Sequence, residues 1–552
     1  MMNERFVLGV NRTLDASVCL LGSELFLCST QKERLTRAKH DGGALGDFRG
    51  FYMKRLPALR NQIDVVVECY ASDEEIRNLE QHQAELKELL NLADNAPIIQ
   101  ISHHLAHLYS SYFLSPFEHA AVMVVDFQGS YVKDFSENWR APGPEFNDWL
   151  EVSTFYKAGP NEIVCLGKQI WDGNRRRPVG LGCFYNYLTT TVFPGLGNEG
   201  KMMGLAPYGD PTKLRLPPLI VDGPNVNIPD EWFLVLRNRD RFGHFWKKQG
   251  SFEECADLAA AGQKCFEDAL LKLVDWLYEQ TKVENLCFAG GTALNCVANG
   301  RLLRESKFKN VFVPPSPHDG GTALGCAVYG MREKLGVRRD LRWVNDFTGP
   351  EPCLSGLEVM VRNEGLELEQ PAEIIEVMVD LLERGEVVAL FQGKSELGPR
   401  ALGHRSILAD PRDPQIKSRI NRYIKGREWF RPLAPAALEE TAGRYFVIDR
   451  PVQFMQFAVD VCDEWCSLLP GITHTDGTAR LQTVSPADDH FFHSLLKAFE
   501  ARTGIGVLLN TSFNTKDEPI VETYAEAIRT FIGTDIDALA IPPFLIRKPP
   551  QA

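Results

Sequence analysis

The chain has 552 residues, of which 44% are hydrophobic and 24% are charged, and its formal net charge is -13. This length is more than one hydrophobic core normally holds, so we expect roughly two to four domains in an ordinary globular protein. An acidic balance argues against general nucleic-acid binding, and the absence of a long apolar run argues against a membrane partner. The 13 cysteines are scattered, a pattern typical of reduced thiols, so we predict a cytoplasmic location.

The N-terminal segment predicts a meander of β-strands. Phe6–Val10 and Ala16–Leu21 are apolar runs separated by a polar turn, and Glu24–Cys28 forms a third run. Nucleotide-binding folds of the actin, Hsp70 and sugar-kinase type begin in this way, with the first turn facing phosphate. The next segment, Gln31–Asp41, is predicted to be a charged loop, and no internal repeat is evident along the chain.

The middle of the chain predicts a metal site. His103 and His107 are four residues apart and share one face of a predicted helix, while His104 lies off that face and is predicted to be structural. The buried-strand run after this helix ends at Asp126, and Asp319 follows a later strand. Two imidazoles and two carboxylates suit Fe(II), with Mn(II) or Mg(II) as alternatives, and leave positions open for water or a substrate oxygen.

Two glycine-rich stretches are candidates for contact with a phosphate. The first surrounds Lys201, although its glycines could equally form turns between helices. The second begins after a long amphipathic helix at about Phe252–Thr281, where a strand, Gly290-Gly291 and another helix follow in an order that can hold a nucleotide. Residues 213–250, between these stretches, are predicted to be an irregular insertion without assigned chemistry.

Positive charge is concentrated between Gly393 and Pro435. Arginine side chains bind oxyanions bidentately, and the glycine-rich turn in this stretch allows backbone N–H groups to approach as well. The stretch therefore predicts a phosphate or carboxylate pocket in preference to a solvated face. Its ten basic residues, against four acidic ones, are Lys394, Arg400, Arg405, Arg412, Lys417, Arg419, Arg422, Lys425, Arg427 and Arg431.

Two later segments offer polar groups for the far wall of this pocket. Arg480 lies in the first, and Asn510, Ser512 and Asn514 follow the predicted buried strand Ile505–Leu509 in the second. Between about residues 338 and 355 the hydrophobic pattern loosens, and we place a domain boundary there.

With these motifs in order, the chain resembles the O-carbamoyltransferase family, which includes the tobramycin, cephamycin and nodulation carbamoyltransferases. The resemblance covers nearly the whole length. The matching segments are KERLTRAKHD, HHLAH, the strand ending at Asp126, GKMMGLAPYG, AGGTALNC, HDGGTALG, GPRALGHRSILADPR, INRYIKGREWFRPLAP, DGTARLQTV and LLNTSFN.

The resemblance implies an α/β protein with a Kae1-like domain of actin-type ATPase fold over residues 1–345 and a YrdC-like α/β domain over residues 356–552. It implies that carbamoyl phosphate and ATP form carbamoyl-adenylate, whose carbamoyl group passes to a hydroxyl, which we expect on the sugar of an antibiotic or polyketide. An actin-fold sugar kinase and a threonylcarbamoyl-type tRNA-modifying enzyme stay open as alternatives. The acidic composition weighs against the second of these.

The resemblance also implies roles for individual residues. Those expected to contact carbamoyl phosphate and ATP are Arg400, Arg405, Lys425, Arg431, Arg480 and Ser512. Those expected to ligate iron are His103, His107, Asp126 and Asp319. Those matching segments that meet nucleotide or adenylate in the N-terminal domain are Lys39, Gly290, Gly291 and Asn295, and Lys201, Asn510 and Asn514 are further candidates for cofactor binding.

The chain departs from the family pattern at two turns. The family's first turn reads HDAS, whereas this chain has Leu14 in place of the histidine. The family often has DGxGE after the metal-bearing strand, whereas here Phe127 and Ser130 occupy the second and fifth positions. These two residues predict a less polar pocket and an acceptor with apolar surface. The residues expected to handle the acceptor are Asp15, Lys39, His40 and Asp210.

Overall fold

The structure is a computed structural model that describes residues 4–24, 26–71, 78–237, 251–338, 341–343 and 345–549. The chain divides into two compact units. The first comprises Met1–Thr36 and His40–Trp343, and the second comprises Arg37–Lys39 and Val344–Ala552. Both units mix helices and strands, so the predicted α/β class is confirmed, while their identity as Kae1-like and YrdC-like domains stays a prediction.

The first sheet of the first unit begins with the predicted meander. β1 (Phe6–Asn11), β2 (Ser17–Gly22) and β3 (Phe26–Gln31) pair antiparallel. β4 (Val65–Cys69) and β5 (Ile98–Ile101) then extend the sheet in parallel on the other side of β1. In β4 the apolar run is buried throughout, as expected for a strand that is covered on both faces.

A second sheet in the same unit repeats this topology. Its meander is β6 (Ala120–Val125), β7 (Leu150–Ala158) and β8 (Ile163–Trp171), and β11 (Asn285–Ala289) and β12 (Asn310–Phe312) add in parallel next to β6. The orders β3-β2-β1-β4-β5 and β8-β7-β6-β11-β12 therefore correspond strand for strand. This repeat was not evident in the sequence because the two halves share a topology and not a motif.

Helices connect these strands. The long helix Phe252–Thr281 lies where it was predicted and begins with a capping box between Ser251 and Glu254. The predicted charged loop at 31–41 instead contains the short helix Lys32–Thr36. The other α-helices of this unit are Met53–Arg55, Leu79–Leu89, His103–Ser111, Gly180–Val192, Glu199–Leu205, Asp230–Leu236, Cys296–Glu305 and Thr322–Tyr329.

The predicted irregular insertion at 213–250 is partly regular. β9 (Ile220–Asp222) and β10 (Asn225–Asn227) form a hairpin, and helix Asp230–Leu236 follows it. The prediction for residues 238–250 lies outside the described residues. Trp232 of this helix is fully buried, so the segment contributes to the core of the first unit.

The second unit is built on a mixed sheet in the order β13-β22-β21-β14-β15-β20-β16-β19. Helices Ile374–Glu383 and His490–Thr503 pack on it through buried side chains such as Met378, Leu382 and Phe499. The strands are β13 (Glu367–Glu369), β14 (Val388–Phe391), β15 (Arg405–Ala409), β16 (Ala434–Leu438), β19 (Gln482–Val484), β20 (Val507–Ser512), β21 (Ala538–Ile541) and β22 (Phe544–Arg547), with β17 (Ala458–Asp460) and β18 (Thr478–Arg480) paired separately. Its other α-helices are Leu357–Asn363, Ile416–Arg419, Asp463–Cys466 and Tyr524–Ile532.

Candidate functional site

Four side chains with metal-binding atoms converge in the first unit. His103 and His107 lie on the helix that follows β5, Asp126 directly follows β6, and Asp319 begins the turn before helix Thr322–Tyr329. That helix follows β12 just as the histidine helix follows β5. The histidines and Asp319 therefore come from corresponding connections after the last strands of the two repeated sheets, and Asp126 comes from the end of β6.

The two ligand-bearing helices approach each other closely at Gly325. A Cβ atom at this position would lie 1.9 Å from the carbonyl oxygen of Ala106. Such a distance is far inside van der Waals contact, so only glycine allows this approach. The contact brings the histidine helix to the turn that carries Asp319.

The donor atoms of the four residues face one another. The Nε2 atoms of His103 and His107 are 3.2 Å apart. His103 Nε2 is 3.3 Å from Asp319 Oδ1, and His107 Nε2 is 3.2 Å from Asp126 Oδ2. All four donors lie within 4.8 Å of one another. Both imidazoles are fully buried, whereas the Asp319 side chain keeps 20% exposure, so the cluster is open to solvent on the Asp319 side.

Hydrogen bonds orient the two carboxylates. Asp126 Oδ1 accepts from Phe127 N at 2.7 Å, and its Oδ2 accepts from Gly291 N at 3.2 Å. Asp319 Oδ2 accepts from Thr13 Oγ1 at 2.6 Å, which leaves Oδ1 to face the histidines. Thr13 was not singled out in the sequence, because nothing in its spacing relates it to a residue some 300 positions away.

The charges of the cluster are mutually dependent. Burial and the Asp319 charge oppose ionisation of Asp126, but hydrogen bonds from both histidines hold the pKa of Asp126 below its ordinary value. Burial likewise opposes ionisation of Asp319, and His103 and His107 hold its pKa well below the ordinary value. Burial disfavours the charged imidazole of His103, yet the two carboxylates raise its pKa. The carboxylates are thus ready to bind a cation, which would displace protons from the histidines.

The geometry fits a divalent metal ion. Bonds of about 2.1 Å place neighbouring donors of an octahedral ion about 3 Å apart. The closest donor pairs of the cluster, at 3.2 and 3.3 Å, approach this spacing. Paired imidazoles and carboxylates are ligands of Fe(II) and Mn(II). His103, His107, Asp126 and Asp319 could therefore hold such an ion with coordination positions left over.

A second cluster of acids with an imidazole lies in the same unit. His40 Nδ1 is 2.8 Å from Asp15 Oδ1, and His40 N donates to Glu33 Oε2 at 3.0 Å. Asp15 and His40 both have left-handed backbones, with φ of 57° and 56°, which is a strained conformation for residues other than glycine. The pair is only partly exposed. Asp15 immediately follows Leu14, where the family histidine is missing.

The predicted nucleotide turn is present, but one of its residues has another role. Gly290 has φ +93°, and a Cβ there would lie 2.2 Å from Val125 O, so a side chain is excluded. Asn295 Oδ1 accepts from Ala298 N at 3.1 Å, and its amide pairs with Gln263. The buried Asn295 side chain therefore caps helix Cys296–Glu305, and its contact with a nucleotide stays a prediction.

The first glycine-rich stretch is largely helical. Lys201 lies on helix Glu199–Leu205 and is partly buried. The glycines of residues 193–198 connect this helix to the preceding one, which is the alternative that the sequence left open. Asp210 Oδ1 accepts from Thr212 N at 2.9 Å and Thr212 Oγ1 at 2.6 Å, and so closes a turn.

Phe127 and Ser130, the two residues that differ from the family pattern in the turn after β6, both make contacts within the protein. The Phe127 ring packs edge-on against Trp171 with centroids 6.1 Å apart. Ser130 is buried, and its hydroxyl donates to Tyr70 O and accepts from His103 N, each at 2.9 Å. These contacts do not test the predicted apolar acceptor pocket, which stays a prediction.

In the second unit, Lys425 is the centre of a cluster of polar groups. Its buried Nζ donates to Asn514 Oδ1 at 2.8 Å, Asn514 O at 3.0 Å and Ser512 Oγ at 3.2 Å, and also to the Ser512 carbonyl. Ser512 is the last residue of β20, so it lies within the strand and not after it as predicted. The structure thus brings together Lys425, Ser512 and Asn514, which the sequence placed in one pocket.

Further cations surround Lys425. Burial lowers its pKa well below the usual value, and Arg427, Lys39 and Arg431 add to this effect against the single opposing carboxylate of Glu518. Burial also lowers the pKa of Arg427, with Arg431 and Arg480 contributing. The basic cluster, defined here as Lys39, Lys425, Arg427, Arg431 and Arg480, therefore consists of like charges at close range.

The basic cluster is exposed enough to admit a ligand. Arg431 keeps 24% of its side chain exposed, and its nearest carboxylate atom, Glu428 Oε2, is 3.8 Å away. Burial nevertheless dominates the lowering of the Arg431 pKa. A side chain that is both surrounded by protein and open to solvent lies in a concave surface, which is where an anion would relieve the repulsion.

Lys39 belongs with the second unit, which corrects its predicted place in the N-terminal domain. Residues Arg37–Lys39 cluster with that unit. Arg37 fixes the segment there, since its guanidinium donates to the carbonyls of Pro519 and Ile520, each at 2.7 Å. No pattern in the sequence indicates this, because the residues on either side belong to the first unit.

Two other residues that were predicted to contact substrate or cofactor form hydrogen bonds within the protein. Arg405 is fully buried, donates to Gln392 O at 2.6 Å and lies over the Phe391 ring at 3.7 Å. These contacts give Arg405 a packing role, and its contact with substrate stays a prediction. Asn510 is also fully buried, and its amide donates to Ala401 O at 3.1 Å and to Gln482 Oε1 at 2.9 Å.

Asn510 acts through the loop that carries Arg400. By holding Ala401, it fixes the backbone next to Arg400, whose side chain is partly buried. Arg427 is a member of the basic cluster that sequence reasoning counted among the cations but did not select. Its position in the sequence does not distinguish it from its solvated basic neighbours. The turn after Ile424, which directs Arg427 inward, is visible only in the structure.

This chain belongs to the carbamoyltransferase family. A sequence model of the carbamoyltransferase N-terminus matches residues 47–328, and one of the carbamoyltransferase C-terminus matches residues 379–548. The protein is therefore an enzyme, a transferase of carbamoyl groups, that acts on small molecules.

Three relatives are similar in sequence to large parts of this chain. Nodulation protein NolO of Bradyrhizobium diazoefficiens is 35% identical over 82% of this chain and 80% of its own length. Nodulation protein U of Rhizobium tropici is 40% identical over 42% of this chain and 38% of its own. The uncharacterized protein sll1178 of Synechocystis is 32% identical over 97% of this chain and 95% of its own.

Similarity to solved structures is distant. The crystal structure of full-length HypF in the phosphate- and nucleotide-bound form has a TM-score of 0.35 and 14% identity, over 61% of this chain and 47% of that one. Among the described residues, no helix has the length and apolar character needed to cross a membrane.

Proposed function

We propose that this carbamoyltransferase is an ATP-dependent O-carbamoyltransferase that uses carbamoyl phosphate and proceeds through carbamoyl-adenylate. In this proposal the second unit is a YrdC-like domain that forms the adenylate, and the first is a Kae1-like, actin-type domain that presents an acceptor hydroxyl. The repeated sheet topology of the first unit supports the second half of this assignment. The observation that carries the proposal is the basic cluster.

The basic cluster has the chemistry needed for two anionic substrates. Carbamoyl phosphate is a small dianion and ATP is a polyanion, and both relieve repulsion among cations that are held close together. Arg431 and Arg480 can bind phosphate oxygens bidentately. Lys425 is already held by Ser512 and Asn514 and supplies a fixed point charge between them.

The proposed reaction balances in three steps. Carbamoyl phosphate and water give carbamate and inorganic phosphate. A carbamate oxygen attacks the α-phosphorus of ATP, and pyrophosphate leaves to give carbamoyl-adenylate. The acceptor oxygen then attacks the carbamoyl carbon, AMP leaves, and the acceptor proton passes to a base.

The four-donor cluster would hold Fe(II), with Mn(II) or Mg(II) as alternatives. A metal ion bound there supplies a Lewis acid that polarises the carbamoyl carbonyl. Thr13 holds one oxygen of Asp319 and so fixes the orientation of the other. The Asp15–His40 pair would supply a base, since a carboxylate that holds one imidazole nitrogen orients the ring to take the acceptor proton.

The test is carbamoyl transfer in vitro. The enzyme is incubated with ATP, carbamoyl phosphate and Fe(II) and with a panel of hydroxyl-bearing natural products that includes antibiotic sugars and polyketides. We expect pyrophosphate release that requires carbamoyl phosphate, and mass spectrometry should show one acceptor gaining one carbamoyl group. ADP formation without any need for carbamoyl phosphate would contradict the proposal.

A further inference from the structure

The histidine helix begins without a cap of its own. Ser102 occupies the N-cap position, but its side chain makes no cap hydrogen bond and donates instead to Glu137 Oε2. The first backbone N–H groups of a helix have no partner within it. Here Ser102 N donates to Ser136 Oγ at 3.1 Å, and His103 N donates to Ser130 Oγ at 2.9 Å.

The third of these N–H groups is bound by Glu151 of β7. Glu151 Oε1 accepts from His104 N at 3.0 Å and from Ser130 N at 3.2 Å. One carboxylate therefore joins the start of the histidine helix to the turn after β6. Gly129 makes room for this arrangement, because a Cβ there would lie 2.7 Å from Glu151 Cγ.

Glu151 is itself held by a buried lysine on the neighbouring strand. Lys168 Nζ contacts Glu151 Oε2, lies 2.5 Å from Glu137 Oε1 and donates to Thr154 Oγ1 at 3.0 Å. The side chains of Lys168 and Glu151 have no exposure, and that of Glu137 has 7%. Glu137 also accepts from Tyr156 OH at 2.9 Å. Lys168 is thus shared by the two carboxylates that hold the start of the helix.

The same network fixes the histidine between the two ligands. His104 Nδ1 is 2.7 Å from Thr154 Oγ1, and Thr154 also receives the hydrogen bond from Lys168. The residue before the helix, its first residue and its second residue are therefore all bound by side chains of residues 130–154. His103 and His107 can turn about the helix axis only if these bonds break.

We propose that Lys168 is a positioning residue for the four-donor cluster, acting through Glu151 and Glu137 on the start of the histidine helix. The inference rests on the proposed function in that it takes the cluster to be a metal site. Without Lys168, two carboxylates are left close together with no counter-ion in a buried space, which is strongly unfavourable. Their separation would release His104 N and Ser102 and disturb the orientation of both ligating imidazoles. Mutation of residues that orient metal ligands in this way typically lowers metal affinity or activity by about 10- to 100-fold.

The test is metal binding by the full-length protein. Metal-free enzyme is titrated with Mn(II), and the free ion is counted by electron paramagnetic resonance, so no catalytic turnover is needed. For Lys168→Met we expect affinity to fall by about 10- to 100-fold. Lys168→Arg keeps a cation that can reach both carboxylates, and we expect it to restore affinity to within about threefold of the wild type.

A matched control separates positioning from loss of stability. Arg301 also joins several carboxylates in the first unit, at 3.1 Å from Glu267, 2.9 Å from Asp268 and 2.8 Å from Glu305. Arg301→Met should lower Tm and leave Mn(II) affinity unchanged. If it weakens Mn(II) binding as much as Lys168→Met does, the effect is general destabilisation and the inference is wrong.

The other possible outcomes of the Mn(II)-binding experiment also test the role of Lys168. A folded Lys168→Met protein that binds Mn(II) like the wild type overturns the inference. If that variant does not fold, Ser130→Ala removes the acceptor of His103 N together with the donor to Tyr70 O, and unchanged Mn(II) affinity in it would overturn the inference equally. If the wild type binds neither Mn(II) nor Fe(II), the proposed metal role itself has failed, which is a different result from a failure of Lys168 to matter.

Discussion

The four-donor cluster of the first unit and the basic cluster of the second use charge in opposite ways. In the former, two carboxylates face two imidazoles and each stabilises the charged form of the other. In the latter, burial and then neighbouring cations lower the pKa values of Lys425 and Arg427. The comparison teaches that the charges of one site balance within the site, whereas the other holds more cations than carboxylates and would be stabilised by an anion.

The largest expected effect comes from removing a donor of the four-donor cluster. Asp319→Ala takes away the partner of His103, and we expect carbamoyl transfer to fall on the order of 10³-fold because the Lewis acid is lost. Pyrophosphate release that depends on carbamoyl phosphate should continue, since the basic cluster is intact. The two activities are measured on one sample by mass spectrometry and a coupled pyrophosphate assay. Equal loss of both would mean that the two clusters do not divide the reaction.

Removing a cation from the basic cluster should lower activity and raise stability. We expect Arg431→Ala to reduce pyrophosphate release by about 10²-fold or more, because transition-state charge loses a bidentate partner. The same change relieves repulsion, so the free energy of unfolding should rise by about 0.5–2 kcal/mol. Calorimetry checks this, with the exposed Arg422→Ala as the control for charge number. A lower Tm for Arg431→Ala would show that the charges of the basic cluster balance after all.

The pH dependence of phosphate binding sharpens the same contrast. Lys425 has a pKa below the usual 10.5, so on raising the pH it loses its charge earlier than a free lysine. Phosphate requires the charged form, and its affinity should therefore fall by up to about tenfold per pH unit above the lowered pKa. Without phosphate, the free energy of unfolding should instead rise with pH, because the folded state gains stability as Lys425 becomes neutral. Isothermal titration between pH 8 and 10.5 measures the effect, and a constant affinity across this range would contradict it.

The smallest effect is expected at Asn295, which belongs to neither cluster. Asn295→Ala removes an N-cap, which should lower the free energy of unfolding by about 1–2 kcal/mol. ATP affinity should stay the same, because the Asn295 side chain is bonded to Ala298 and Gln263. Denaturant unfolding and ATP titration test the two parts. A clear loss of ATP affinity would restore the role that the motif first suggested.

Local patterns were enough to predict the elements that carry the donors. The spacing of His103 and His107 predicts one helix face, and the apolar run before Asp126 predicts a buried strand with a carboxylate at its end. Such signals depend on residues close together in the chain, and the structure has both elements. The repeated topology escaped prediction because strand order is decided by packing between distant segments.

The same limit explains the contacts that the sequence did not predict. Arg405, Asn295 and Asn510 match the family motifs, yet their side chains bind protein atoms that no local pattern specifies. The assignment of Lys39 to the second unit depends on Arg37 reaching the carbonyls of Pro519 and Ile520, which are far away in sequence. Which cations of a basic stretch turn inward is likewise a property of the folded chain.

The close contact at Gly325 has a consequence for the choice of metal. A methyl group at this position would force the two helices apart by roughly 1 Å or more before the contact became tolerable. Metal–ligand distances tolerate only about ±0.2 Å. If the four-donor cluster holds a metal ion as proposed, the bond lengths offered to that ion depend on a contact between a glycine and a main-chain oxygen, neither of which is a donor. Selectivity for one ion over another of different radius would then depend partly on the distance between two backbones.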